Sequence, residues 1–281
     1  MAEAITAEKD GAKSVEPRRL SPGLAFFGAL VAPGLGYLYV GRIGYAFSFV
    51  AVSYLVLFAA GWTRLVVDPV GWYTVYPALG VLWLVQLVHS VVLAWPQPLA
   101  PAKAYNRWWW YLAWIAGTSL AFEVLVGQRG TTLGYEFYYI PSGSMSPTVE
   151  QGDRLVVDTW RYRDAAPAFR DVVVCQLGEV LVVKRVVGVP GDTIELRGPL
   201  LVRNGAIVNE PYLSSERGMS PPDLPPLTLG ADQFFVLGDN RGNSNDSRFA
   251  GPIGRDQISG RVEFVAYSRA RGRFFLMLAP D

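Results

Sequence analysis

The chain has 281 residues, 51% of them hydrophobic, and a formal net charge of +1. That balance leaves no basic footprint for nucleic acid, so a nucleic-acid partner is not expected. One cysteine (Cys175) and one histidine (His89) exclude an internal disulfide framework and a multi-cysteine zinc site, and no metal or other cofactor is expected.

Residues 1–22 are polar, with Lys13, Arg18 and Arg19 leading into the first apolar run. They read as a disordered cytoplasmic tail. Four apolar stretches follow, at 23–40, 44–61, 75–95 and 107–126, within a membrane domain spanning 23–127. A helix crossing the hydrocarbon needs about 20 apolar residues. The last two stretches meet that length, the second is marginal but uncharged, and the first is short and broken by Pro33-Gly34-Leu35-Gly36.

Lys103 and Arg107 place the loop before the fourth stretch on the cytoplasmic side, and Arg42 does the same for the loop before the second. The fourth stretch then runs outward and delivers residues 131–281 to the trans side. The positive tail and Arg42 ask for the same side across 23–40. That stretch is therefore expected to be re-entrant or interfacial, bent at Pro33, with a true span as the alternative. His89 and Gln86 in the third stretch are expected to hydrogen-bond to neighbouring helices rather than to act chemically. Trp108, Trp109, Trp110 and Trp114 fit an interfacial belt.

From about 131 short β-rich runs alternate with turns. The expected strands are Leu155–Asp158, Asp171–Leu177, Leu181–Val189, Asp192–Leu196, Leu200–Arg203, Gln233–Leu237 and Gln257–Tyr267, with turns at Pro190-Gly191-Asp192 and Asn204-Gly205. Residues 214–230 read as a surface loop. Short strands without intervening helices indicate an all-β barrel or sandwich. The predicted architecture is a multi-pass helical membrane anchor followed by an all-β domain.

Three segments carry chemistry. Pro141–Thr148 holds Ser144 on a turn bounded by Pro141 and Pro147. A serine hydroxyl attacks poorly until a base removes its proton. No histidine lies nearby, which leaves lysine. Lys184 sits in the apolar run Val182–Gly188. A free lysine, with a pKa of about 10.4, is neutral only about one time in a thousand at physiological pH. Burial lowers that pKa and makes a base. The competing reading is an edge-strand lysine that keeps its charge in water. The third segment, Gly238–Arg248, is dense in Asp, Asn, Ser and Arg, as suits a loop that braces a site. Its spacing does not match a calcium-binding EF-hand loop.

Together these segments resemble the bacterial type I signal peptidases, membrane-bound serine proteases of family S26. The resembling stretches are Pro141–Thr148 with Gly152-Asp153, Val183–Asp192, and Gly238–Arg248 continuing to Gly254, in family order and spacing. The resemblance implies a β-rich signal-peptidase-like domain in which Ser144 is the nucleophile and Lys184 the general base. It implies that Ser142 joins the Ser144 N–H in an oxyanion hole and that Ser244 orients the lysine. Asp239, Arg241, Asp246 and Arg248 would brace the site, and Ile140, Met145 and Val183 would line pockets for small side chains. The implied partners are preprotein signal peptides and membrane lipid, near the translocation machinery. The implied location is the bacterial cytoplasmic (inner) membrane, with the peptidase domain at 131–281 on the periplasmic or extracytoplasmic side.

The sequence departs from the family in places. Gly242 stands where many relatives have Asp, and Ser146 occupies a variable position after Met145. The short span from Lys184 to Asp239 implies that the large inserted β-subdomain of some relatives is largely absent. The N-terminal half is unlike the usual one- or two-helix anchor. Two other readings remain at this point: a dedicated maturation peptidase with the same Ser/Lys core, and a catalytically inactive membrane scaffold.

Overall fold

The computed structural model describes residues 19–95, 103–213 and 223–278. The expected tail at 1–22 lies outside them except for its last four residues. The chain forms two compact units, one of residues 1–56 and 76–124, the other of 57–75 and 125–281.

In the first unit, α1 (Pro22–Val31) starts with Pro22 at its first position, where a missing N–H costs nothing, and with Ser21 as cap. It stops at Ala32-Pro33-Gly34, and α2 (Leu35–Tyr39) follows. The stretch 23–40 is therefore two short helices around a break, and neither has the length of a span. The backbone groups freed at and around the break are met by side chains of the two helical stretches that follow at 69–94 and 108–122. Gln86 Oε1 accepts from Gly34 N (3.1 Å), Trp114 Nε1 donates to Pro33 O (2.7 Å) and Trp83 Nε1 donates to Ala29 O (2.8 Å). His89 Nδ1 meets the Tyr37 hydroxyl at 3.1 Å, in keeping with a packing role. Trp114 thus serves the break.

Three helical stretches among the described residues are long and apolar enough to cross a membrane: Ile43–Trp62 (α3), Pro69–Ala94 (α4) and Trp108–Gly127, which is α5 (Trp108–Phe122) with a terminal π turn. Helix α4 begins six residues before the predicted 75, because Asp68 caps it through Val70 N (2.7 Å) and Pro69 takes the first helical position.

The second unit is all-β after the short helix α6 (Arg129–Thr132). Its strands are β1 (Tyr135–Tyr139), β2 (Arg154–Asp158), β3 (Val172–Leu177), β4 (Val180–Gly188), β5 (Thr193–Arg197), β6 (Leu200–Arg203), β7 (Ala206–Ile207), β8 (Leu224–Thr228), β9 (Gln233–Leu237), β10 (Ile253–Gly254), β11 (Ile258–Ser268) and β12 (Arg273–Met277). A short helix α7 (Ser247–Ala250) precedes β10. The large sheet runs β1-β2-β11-β3-β4-β9-β10, with β12 also on β11, and a small sheet runs β7-β6-β5-β8.

Strand β3 reads as an unbroken apolar run because both of its faces are covered. Val172 and Val174 join Ile140, Met145, Leu155, Val157 and Val262 on one side. Val173, Cys175 and Leu177 join Val186, Phe234 and Val236 on the other. Burial pushes the Cys175 thiol up to about 12, which makes it an inert core side chain. A third cluster of Val187, Ile194, Leu201, Phe235 and Leu237 seats the small sheet.

The predicted strands all form, with small shifts at their ends. The expected loop 214–230 contains β8, which pairs with β5; residues 214–222 lie outside the described residues. Pro225 and Pro226 are tolerated because β8 is an edge strand. The span between Lys184 and Asp239, in which strands were expected at 192–196 and 200–203, carries the whole small sheet, with β7 and β8 added to them. The Asn204-Gly205 turn is as predicted, with both residues at positive φ between paired Arg203 and Ala206.

Leu155 is fully buried in the first cluster, whereas Ile207 on β7 is 66% exposed. Leu155→Ala should lower the unfolding free energy of the domain by about 3 kcal/mol, and Ile207→Ala by less than about 0.5 kcal/mol. Urea denaturation of both variants checks the assignment, and equal effects would contradict it.

Candidate active site

Strand β1 continues through Ile140 into the turn at Ser144. Ile140 stays in register with the neighbouring segment, its N–H bonded to Asp153 O (3.0 Å) and its carbonyl to Gly152 N (2.8 Å). The chain then turns, with Ser146 N bonded to Gly143 O (3.2 Å) and Val149 N to Met145 O (3.0 Å). Met145 points into the core, fully buried, and fixes the turn from below. Ser144 is left half-buried at the surface.

Lys184 lies on β4 opposite Val173 of β3, while Arg185, the next residue, also pairs with Leu237 of β9. Only 2% of Lys184 is exposed, which rules out the edge-strand reading. Its Nζ donates to Ser144 Oγ at 2.9 Å. Burial holds the amine below the ordinary lysine range; Asp246, Cys175 and Asp239 oppose that shift, and Arg248 reinforces it.

The Gly238–Arg248 loop crosses the back of the serine turn. Asn240 N donates to Ser144 O (3.0 Å) and Asn240 Nδ2 to Gly143 O (3.1 Å). Gly238 passes so close that a Cβ there would sit 2.6 Å from Ser144 O.

Each acidic group of this region has its own guanidinium. Asp239 takes two bonds from Arg185 (2.9 and 2.8 Å) and one from the Thr148 hydroxyl (2.5 Å). Asp246 takes two from Arg248 (2.8 and 2.9 Å), one from Gly238 N (3.0 Å) and one from the Ser244 hydroxyl (2.7 Å). Arg241 is bonded to Glu210 and to Gly238 O. Bidentate pairing of this kind keeps a buried carboxylate satisfied.

The structure thus brings Ser144, Lys184, Ser142, Ser244, Asp239, Asp246 and Arg248 into one neighbourhood. Arg241 reaches it through Gly238 O. Ser142 is exposed at the rim, its hydroxyl 3.5 Å from Ser144 Oγ, and the Ser144 N–H donates to no protein group among the described residues. Ser244 binds Asp246, and among the described residues no hydrogen bond joins it to Lys184. Sequence reasoning missed the roles of Arg185, Asn240, Thr148 and Glu210. The first three lie inside the motifs already singled out, but their partners are more than 30 residues away; Glu210 has no local signal.

A cleft of about 380 Å³ opens over the serine, lined by Tyr138, Ile140, Met145, Val183 and Lys184 among others. One wall is β1 and its continuation. The other is the Val180–Lys184 part of β4, paired only with β3 among the described residues. A general base, a hydroxyl in bonding contact and an adjacent apolar cleft suffice for acyl transfer to an extended peptide.

Residues 112–267 match the family described as "Signal peptidase, peptidase S26". The chain is 41% identical over 156 residues to Signal peptidase I of Leptolyngbya laminosa, covering 51% of this chain and 74% of that protein. It is 38% identical over 145 residues to Probable signal peptidase I-1 of Synechocystis sp., covering 47% and 71%. It is 34% identical over 167 residues to Signal peptidase I T of Bacillus subtilis, covering 56% and 86%. Residues 1–111 lie outside the family match.

Removing Asp239 would leave Arg185, only 4% exposed, buried without its carboxylate. Asp239→Leu and Arg185→Met should each cost about 3–5 kcal/mol, and the double change Arg185→Met/Asp239→Leu clearly less than their sum. Chemical denaturation of the three proteins decides; additive losses would show that the two side chains act independently.

Proposed function

The chain belongs to the signal peptidase family S26 and is a peptidase that removes signal peptides, and on that premise we propose that Ser144 and Lys184 are its nucleophile and general base. The observation that carries this reading is the 2.9 Å bond between a buried lysine amine and a serine hydroxyl at the floor of an apolar cleft. The neutral amine takes the hydroxyl proton as Ser144 Oγ attacks the scissile carbonyl. The same amine returns the proton to the leaving nitrogen and then activates the water that frees Ser144. The open Ser144 N–H and the Ser142 hydroxyl face the developing oxyanion, where one such donor is worth about 3 kcal/mol.

Asp239, Arg241, Asp246 and Arg248 are proposed braces, and Ser244 acts on the lysine through Asp246 as well as by proximity. Ile140, Met145 and Val183 shape pockets that accept small side chains and reject bulk. The substrate docks as an extended strand between the free edges of β1 and of β4 at Val180–Val183.

The family is membrane-associated, and the three long apolar helices agree with that. We further propose a multi-pass anchor in the bacterial cytoplasmic membrane, spanning 23–127, in contact with lipid and near the translocation machinery. The peptidase domain, 131–281, lies on the trans side. Support comes from residues 57–75, the end of α3, the loop after it and the start of α4, which share a compact unit with the peptidase domain, as segments on one side of the membrane would. With α3 then running outward, its start and the positive tail share the cytoplasmic side, and the break at Pro33 lets 23–40 turn back.

Ser144→Ala and Lys184→Met should each reduce preprotein cleavage by at least about 10⁴-fold while leaving circular dichroism and melting unchanged. Mass spectrometry of a preprotein incubated with each variant reads this out, and full cleavage by either overturns the assignment.

The active form carries the uncharged amine, so kcat/KM rises with pH through the lysine pKa and falls below it. Because burial lowers that pKa, the midpoint of the acid limb should lie below the value of about 10.4 for an exposed lysine. A limb centred at or above that value would contradict a desolvated base.

A further inference from the structure

The connection between α3 and α4 does more than join two helices. Arg64 forms an ion pair with Asp158, the last residue of β2, whose side chain is 1% exposed. Asp158 also accepts from Trp160 N (2.9 Å). Val66, in the short helical turn Leu65–Val67, is buried, and its carbonyl accepts from the Trp72 indole N–H (2.8 Å). A Cβ on Gly71 would overlap the Leu65 carbonyl, so this turn lies directly against the start of α4.

Trp72 itself is wedged among three rings of the large sheet. Phe137 of β1, Phe264 of β11 and Phe275 of β12 lie 5.5, 6.2 and 5.8 Å away, each edge-on to the indole. Edge-to-face pairs of this kind each add about 0.5–1.5 kcal/mol beyond their buried area. Tyr73 adds a fourth contact to Phe275 at 4.9 Å. None of these residues touches Ser144 or Lys184. Yet β1 runs from Phe137 straight through Tyr138 and Tyr139, which line the cleft, to Ile140 and the serine turn.

We infer that the α3–α4 connection is a positioning clamp for cleavage of membrane-held substrates. Arg64 and Trp72 fasten β2 and β1, and with them one wall of the cleft, to the two apolar helices on either side of the loop. The end of α3, the loop and the start of α4 thereby pack as part of the peptidase domain itself, in addition to its covalent link through α5. A substrate whose scissile segment emerges from a bilayer cannot rotate freely to find the site. A domain on a single tether would lose productive encounters to its own orientational freedom, and the clamp removes that freedom. A substrate free in water can rotate and gains nothing from it. This inference rests on the signal-peptidase reading above, and Arg64 and Trp72 are positioning residues within it.

The test uses the full chain in phosphatidylethanolamine/phosphatidylglycerol vesicles with two substrates. One is a preprotein whose apolar segment is inserted in the same bilayer; the other is a short water-soluble peptide with the same cleavage sequence. Arg64→Ala and Trp72→Ala should lower kcat/KM on the inserted preprotein about tenfold or more and leave the peptide within about twofold. Arg64→Lys and Trp72→Phe should recover most of the loss. The Arg64 side chain is 38% exposed, so Arg64→Ala alone decides if Trp72→Ala fails to fold. Equal losses on both substrates, or no loss on either, overturn the clamp. Failure of the unaltered protein to cleave both substrates would instead overturn the signal-peptidase reading.

Discussion

The chemistry proposed for the site depends on one amine, that of Lys184, being kept without its proton. Two carboxylates, Asp246 and Asp239, act on Lys184 and favour its ammonium form. Each is paired with its own guanidinium, Arg248 for Asp246 and Arg185 for Asp239, which limits that pull. Burial then dominates the amine, and its pKa falls. On the proposed reading, the pairing of Asp239 and Asp246 serves the basicity of Lys184, since buried ion pairs seldom improve on apolar packing.

Neutrality alone would not suffice, because the hydroxyl must be met within bonding distance. The serine turn has no regular structure of its own to hold it. It is pinned from below by Met145 in the core and from behind by the two bonds of Asn240. That rear contact works only because residue 238 lacks a side chain. A site built on a turn thereby gains the rigidity of the sheet, since Gly238 follows β9 directly and Lys184 is on β4, its neighbour.

Much of this was legible in the sequence. Ser144, Lys184 and the bracing loop announced themselves because each sits in a contiguous motif whose residue types are unusual for their surroundings. The core strands were visible through apolar runs and turn residues. Other features had no such mark. Strand β8 hides behind Pro225 and Pro226, which argue against a strand unless one knows that it is at an edge. The YEFYY of β1 has the aromatic content of a strand, yet its proximity to the helical segments masked it. Partners such as Glu210 for Arg241, or Asp158 for Arg64, depend on contacts between residues far apart in the chain, and no local pattern encodes those. The bend at 23–40 was readable from Pro33 and its glycines, whereas the Trp83, Gln86 and Trp114 bonds that make it tolerable were not.

On the proposed reading, the same sheet gives the cleft a selectivity by shape rather than by charge. Its walls are two strand edges, and among the side chains that form them the aliphatic and aromatic ones prevail, with Met145 closed off at 1% exposure. An extended peptide bonded along those edges is recognised by its backbone, which every sequence has, and is filtered only by the size of the side chains that point inward. Size is a weak discriminator, worth about 1–3 kcal/mol per methylene. A peptidase of this design therefore needs a second source of selectivity, and the membrane confinement proposed above would supply it. If only segments held next to an apolar helix can reach the cleft in the right orientation, a permissive pocket becomes sufficient. On the clamp proposed above, that requirement gives a physical reason for packing the α3–α4 connection against β1, the strand that leads to the serine.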